Sequence, residues 1–258
     1  MRRLSWLCCL LLCGCLAAPP AESPPKSGGP AEYAGVLPGE TTWSGEILVR
    51  GDVLVPAGST LIVEPGTVVT VRPTESTRIA PDYLSPRTEI LVRGRLLVQG
   101  TADRPVRFQT EKEGGWAGIE LDRAWRSAVK GARIIGAETG VLCLGCSPRI
   151  AGNRIAGGRY GIIVQAGGAP KILDNEIADG EGGVFCWSGA RPYLKGNRIS
   201  GHEEEGIFAA FGSRPWLDRN RVTGNDIGIA LGGRDLPVDR REVTGNRVDL
   251  FYLRGGRP

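Results

Sequence analysis

SPRIAGNRIAGGRYGIIVQAGG (147–168), APKILDNEIADGEGGVFCWSGA (169–190), RPYLKGNRISGHEEEGIFAAFGS (191–213) and RPWLDRNRVTGNDIGIALGGRDL (214–236) follow one another without a gap. Prolines recur at Pro148, Pro170, Pro192, Pro215 and Pro237, in steps of 22, 22, 23 and 22 residues. Asparagines keep the same step at Asn153, Asn175, Asn197 and Asn220, and glycines keep it at Gly140, Gly161, Gly183, Gly206 and Gly228. A fixed period of this size marks a solenoid. The apolar runs are short, β-branched and broken by Gly, Asn and Pro, so each unit holds strands and tight turns rather than helices. One unit cannot bury its own apolar face, but stacked units share a continuous core. The result is a parallel β-helix with rungs about 4.8 Å apart.

Within each copy, Asn-x-Ile reads as a turn. Asn tolerates the left-handed region, and its amide bonds nearby backbone. Stacked in register, Asn153, Asn175, Asn197 and Asn220 are expected to form an amide ladder, with Ile155, Ile177, Ile199 and Val222 pointing inward. The recurrent glycine before each following strand is expected to take a positive φ or a sharp bend.

The pattern N-x-I-x-x-x-x-x-G-I/V resembles the right-handed parallel β-helix repeat of the pectate-lyase-like superfamily. GEILVRGDVLVPAGSTLIVEPGTVVTV, EILVRGRLLVQGTADRPVRF and GGWAGIEL resemble the opening coils of exported bacterial β-helix proteins. The resemblance covers residues 43–250 and implies an all-β, single-stranded, right-handed parallel β-helix of roughly 8–9 coils. It implies a fold and not an activity, because lyases, hydrolases, adhesins and inert scaffolds share it.

Ahead of the repeats, residues 1–14 combine Arg2 and Arg3 with a short apolar core, the form of a signal peptide. Leu12-Cys13-Gly14-Cys15 resembles a bacterial lipobox, which implies lipidation at Cys15 and membrane attachment. Leu16 carries no acidic retention signal, which favours the outer over the inner membrane, facing the periplasm or the surface. Residues 15–40 are rich in Pro, Gly, Ala and Ser and read as a disordered tether; residues 41–258 read as the β-helix. Leu61–Val63 aligns with Ile90–Val92, leaving Arg72–Arg87 as an inserted loop. The formal charge of +4 is about half leader arginines, so no nucleic-acid partner is expected.

Period-2 alternation sends Val141, Ile162, Val184, Ile207 and Ile229 inward. Leu142, Ile163, Phe185 and Phe208, with Trp187 two residues on from Phe185, then form an outward apolar patch. Such a patch marks contact with an envelope partner protein or a second copy of the chain, or else it is covered by another part of this chain. A second outward row, Arg149, Lys171, Tyr193 and Trp216, offers cations and aromatic rings at the spacing of successive sugars. It reads as a polysaccharide stripe or as an ordinary solvated face. A third row, Arg133, Arg154, Glu176, Arg198, Arg221 and Arg247, reads as a surface charge ladder of little net value.

Catalytic chemistry finds little support. Cys143-Leu-Gly-Cys146 lacks the helix N-terminus that activates a redox pair and the further ligands that zinc requires. Cys143, Cys146 and Cys186 read as buried small apolar residues, with a Cys143–Cys146 bridge open in an oxidising compartment. One His (His202) and one Met argue against copper handling. Asp174 and Asp218 share a column two rungs apart, and Glu203–Glu205 read as a solvated insertion. No metal, cofactor or catalytic residue is assigned. The favoured function is a lipid-anchored, non-catalytic scaffold, and the alternative is a carbohydrate-binding or polysaccharide-modifying module.

Overall fold

The computed structural model describes residues 29–74, 86–111, 115–234 and 236–253. The expected signal peptide, Cys15, most of the tether and residues 75–85 of the inserted loop lie outside them. The described residues form strands and turns only, in about nine turns of a parallel β-solenoid.

One rung shows the plan. Arg149–Ala151 makes a first face, Arg154–Ala156 a second and Tyr160–Gln165 a third. First-face strands stack into an eight-stranded sheet. Second and third faces join in a seventeen-stranded sheet because Glu46–Val55 runs across both. Its residues Ile47 and Val53 pair with Val69 and Ile90 on the respective faces.

The core sits inside the stacked triangle. On the second face, Ile47, Val69, Phe108, Ile134, Ile155, Ile177, Ile199, Val222 and Val243 lie in register. All are at most 3% exposed. Each such side chain contributes about 1.5–3 kcal/mol on burial. The column never changes polarity, and that fixes the register, since a one-residue slip would turn it outward.

Two turns per rung use the left-handed region. The first holds Gly152, Asp174, Gly196 and Arg219 (φ 62, 53, 66 and 55°), and the second holds Gly157, Asp179, Gly201 and Gly224 (φ 64, 59, 73 and 70°). The left-handed residue is thus the one before each ladder asparagine, not the asparagine, whose side chain must turn inward to reach its neighbours. The glycine column also differs from expectation. Gly140, Gly161, Gly183, Gly206 and Gly228 have no positive φ. They are needed for space: a Cβ on Gly161 would lie 2.3 Å from Ile177 Cγ2 and 2.7 Å from the Gly183 carbonyl oxygen.

Four registers differ from the sequence reading. Ala31–Val36 is a strand paired with Glu46–Val55, and Glu40–Trp43 pairs with Thr60–Val63, so the fold begins inside the expected tether. Tyr33 packs on Trp43 with ring centroids 5.2 Å apart. Leu61–Val63 pairs with Leu96–Val98, whereas Ile90–Val92 pairs with Val53–Val55. The early rungs lack the Asn and Gly punctuation, and alternating Val, Ile and Leu look alike on every face. Asp218 aligns with Lys195, so the column of Asp174 and Gly196 continues to Arg219. The 23-residue step in that rung moves the aspartate out of the column. Arg247 leaves the charge ladder for the same kind of reason: Val222 bridges Val243, and Arg247 pairs with Asp226 at the next corner.

Candidate functional site

The corner between the first and second faces carries the amide ladder. Asn153 Nδ2 donates to Asn175 Oδ1 (2.9 Å), Asn175 Nδ2 to Asn197 Oδ1 (2.9 Å) and Asn197 Nδ2 to Asn220 Oδ1 (2.9 Å). Each Nδ2 also donates to a carbonyl of the preceding first-face strand: Val129, Ile150, Ile172 or Leu194. Each Oδ1 accepts from a backbone N–H, Asn153 Oδ1 from Ala132 N at 2.8 Å and Asn175 Oδ1 from Asn153 N at 3.0 Å. The four side chains are buried at 5% exposure or less, and their bonds make that burial tolerable. The last amide needs an acceptor that donates nothing, and Glu242 supplies it, accepting from Asn220 N (2.8 Å) and Nδ2 (3.3 Å).

A second ladder at the next corner was not legible in the sequence. His202 N donates to Asn225 Oδ1 (3.1 Å), Asn225 Nδ2 to Asn246 Oδ1 (2.8 Å), and Asn246 Nδ2 to Asp249 Oδ1 (2.9 Å). Asp249 closes it as Glu242 closes the first. Asn246 N–H and then its side-chain amide hold the Asp249 carboxyl below the usual range. His202 is 3% exposed, its Nε2 lies 3.3 Å from the Ile177 carbonyl, and its Nδ1 has no partner. Burial pushes its pKa below 6.5.

The outer side of the third face bears the apolar row. Leu142, Ile163, Phe185 and Phe208 follow one another in register. Ring centroids of Phe185 and Phe208 are 5.3 Å apart, of Trp187 and Phe208 4.6 Å, and of Tyr160 and Phe185 4.9 Å. Phe185, expected as a contact residue, is only 5% exposed. Gly182 leaves room for its ring, since a Cβ there would lie 2.1 Å from Phe185 Cε2, and Tyr160, Trp187 and Phe208 pack around it. Trp187 is 39% exposed, beside half-buried Leu142, Ile163 and Phe208.

The first face aligns Arg149, Lys171, Tyr193 and Trp216 in consecutive rungs. Trp216 is 71% exposed. Tyr193 Oη donates to Asp218 Oδ2 (2.8 Å), and Lys195 Nζ lies 3.3 Å from the same carboxylate. The Tyr193 hydroxyl, and then Lys195 and Arg219, hold the Asp218 carboxyl below its usual range. Trp216 also borders a depression floored by Leu217, Leu236 and Val238.

Four acids are buried: Asp122 is ion-paired with Arg93 and Arg123, and the other three are Asp52, Glu89 and Glu120. Asp52 and Glu89 are 0% and Glu120 4% exposed, all at positions where alternation would send a side chain outward. Asp52 Oδ1 accepts from Glu89 N at 3.1 Å. Burial first, then the charge of Glu89 and a hydrogen bond to it, push Glu120 up to about 9, so it stays protonated at neutral pH. Its Oε2 has no hydrogen-bond partner. A charged residue in the strand Trp116–Asp122, otherwise almost wholly apolar, was the available signal. Among the described residues no group of three or more His, Cys, Asp or Glu has the geometry to hold a metal ion.

Residues 139–253 match the family model for the right handed beta helix region. The described residues fold as a right-handed parallel β-helix. Among solved structures it is similar to a point mutant of the periplasmic alginate epimerase AlgG, at 15% identity and a TM-score of 0.48. It is also similar to AlgG itself, at 16% identity and a TM-score of 0.34. Each alignment covers 74% of this chain and 58% of the other, and at this identity the likeness is one of fold alone. None of the curated proteins matches the sequence.

Proposed function

We propose that this protein is a lipid-anchored scaffold of the bacterial cell envelope that holds a partner protein against the aromatic patch of its third face. The observation that carries the reading is the patch itself: Trp187, 39% exposed, rests on Phe208 at 4.6 Å on a flat parallel sheet. Rigid rings already packed on one another lose little conformational freedom on docking, which suits an interaction anchor. Cys15, in its lipobox-like setting, supports membrane attachment, and Leu16 after it supports the outer membrane. The test is chemical cross-linking in intact cells, comparing wild type with Trp187→Ala/Phe208→Ser. The cross-linked species is expected to vanish while circular dichroism and thermal unfolding stay near wild type. An unchanged cross-link in the folded variant overturns the docking role. Retention of a Cys15→Ser variant in the membrane fraction overturns the anchor.

A second reading rests on the first face. Trp216, 71% exposed and in register with Tyr193, Lys171 and Arg149, supports binding of an extended polysaccharide. A glycan array separates the readings: binding that Trp216→Ala abolishes and Trp187→Ala spares supports this one, and an empty array removes it.

A further inference from the structure

We propose that Cys143 and Cys146 form a dithiol–disulfide site that closes to an intramolecular disulfide when the protein meets an organic disulfide. Cys143 is near the end of the strand Ala137–Leu144, and Cys146 follows the turn at Leu144-Gly145. Gly145 takes φ 58°, which folds the chain back so that both thiols enter the core, at 0% and 1% exposure. There the two thiols lie side by side, and Cys146 Sγ donates to the Leu121 carbonyl at 3.2 Å. Cys186 takes no part. Val164 separates it from Cys143 in the same column, which places it two rungs away, about 9.6 Å by strand spacing.

The surroundings divide the labour between the two sulfurs. Cys146 faces the Cys143 thiol and the backbone N–H groups of Ala124 and Leu144, and these hold its pKa below the ordinary thiol value. The Cys146 thiol beside it, and then burial, hold Cys143 well above the ordinary value. Cys146 adjoins the exposed Ser147 and so is uncovered first when the turn opens, which makes it the attacking thiol and Cys143 the resolving one.

In the first step Cys146 Sγ attacks one sulfur of an organic disulfide RSSR. The S–S bond breaks, and RS⁻ leaves and takes up a proton. Cys143 then gives up its proton, attacks Cys146 Sγ and expels the second RS⁻. Two protein thiols and one RSSR become one protein disulfide and two RSH, so the protein loses two electrons and the organic disulfide gains them. Both sulfurs are buried, so reaction passes through opening of the turn at Gly145–Ser147, whose Ser147 is exposed.

The test uses the purified full-length chain and oxidised glutathione, with acid quenching, alkylation in denaturant and peptide mass spectrometry. The peptide carrying Cys143 and Cys146 is expected to lose both alkyl groups and two mass units, while Cys186 is alkylated in full. Cys143→Ser is expected to stop at a glutathione adduct on Cys146, and Cys146→Ser to leave Cys143 without one. Full alkylation of Cys143 and Cys146 in the wild type, or equal oxidation of all three core cysteines, overturns the site. An adduct on Cys143 in Cys146→Ser, with none on Cys146 in Cys143→Ser, overturns the assignment of roles. The wild-type result decides the first question even where a variant fails to fold.

Discussion

Replacing Asn175 with alanine should be among the costliest single changes in this chain that leave no backbone clash. Its amide makes four bonds: Oδ1 accepts from Asn153 N (3.0 Å) and Nδ2 (2.9 Å), while Nδ2 donates to the Ile150 carbonyl (3.0 Å) and Asn197 Oδ1 (2.9 Å). Alanine strands two donors of Asn153 in the interior, while the Ile150 carbonyl stays within the ladder to the strand Lys171–Leu173. Asn197 Oδ1 keeps the bond from Asn175 N, which is 3.0 Å long. A stranded buried polar group costs about 1–3 kcal/mol. Two of them, after partial relaxation, set the loss at about 2–4 kcal/mol, a large part of a domain stability of about 5–15 kcal/mol. Equilibrium urea unfolding followed by circular dichroism measures it, with Arg198→Ala on the solvent side as a control expected within about 0.5 kcal/mol of wild type. Asn175→Asp should also destabilise, because it keeps an acceptor and loses both donors. A loss under about 1 kcal/mol for Asn175→Ala would refute the ladder energetics, since it would mean that the stranded groups regain partners at no cost.

Gly161→Ala and Gly157→Ala should separate two uses of glycine. The first drives a Cβ to 2.3 Å from Ile177 Cγ2 and should abolish soluble folded protein. The second meets nothing within 4 Å and carries only the left-handed strain at φ 64°, about 1–2 kcal/mol by thermal unfolding. His202 gives a signed pH dependence. Its folded pKa lies below 6.5, so the unfolded chain binds the extra proton, and stability should fall as pH drops through 6.5 towards the folded value. Unfolding midpoints across that range should flatten in His202→Asn, which also extends the second ladder by one amide. Glu120 acts in the opposite direction: with its pKa raised from 4.5 to about 9, its contribution is full below 4.5 and is lost as pH rises towards 9. Glu120→Gln should therefore be relatively more stable than wild type at alkaline pH; a constant difference between the two across that range counts against the buried proton.

The middle of the molecule was legible because three independent markers repeat there. Pro, Asn and Gly each have a separate physical duty, and their common step leaves one register. The first rungs carry none of these markers. Their apolar triplets satisfy any face equally, so Leu61–Val63 and Ile90–Val92 aligned on paper and sit on different faces in the fold. AEYAGV offers only half an apolar pattern, yet it pairs with the strand Glu46–Val55. The outward row of the third face was read in the right order, but alternation cannot see a neighbouring ring, and Phe185 is covered by rings from three other residues. The buried acids were out of reach for a related reason. Asp52, Glu89 and Glu120 come together across rungs 29 or more residues apart, with no period linking them.

The asparagine rows have a direction. Every amide hands one hydrogen to the next rung toward the C-terminus, and the sequence ends each row with a carboxylate, Glu242 for one and Asp249 for the other. Such a row is a queue with a fixed last place: new members join in the middle without disturbing either end, but none can be lost from the tail. The gene can therefore lengthen or shorten this protein by copying or deleting whole 22-residue units between Asn153 and Asn197, and the segment bearing the two terminators must travel with every version.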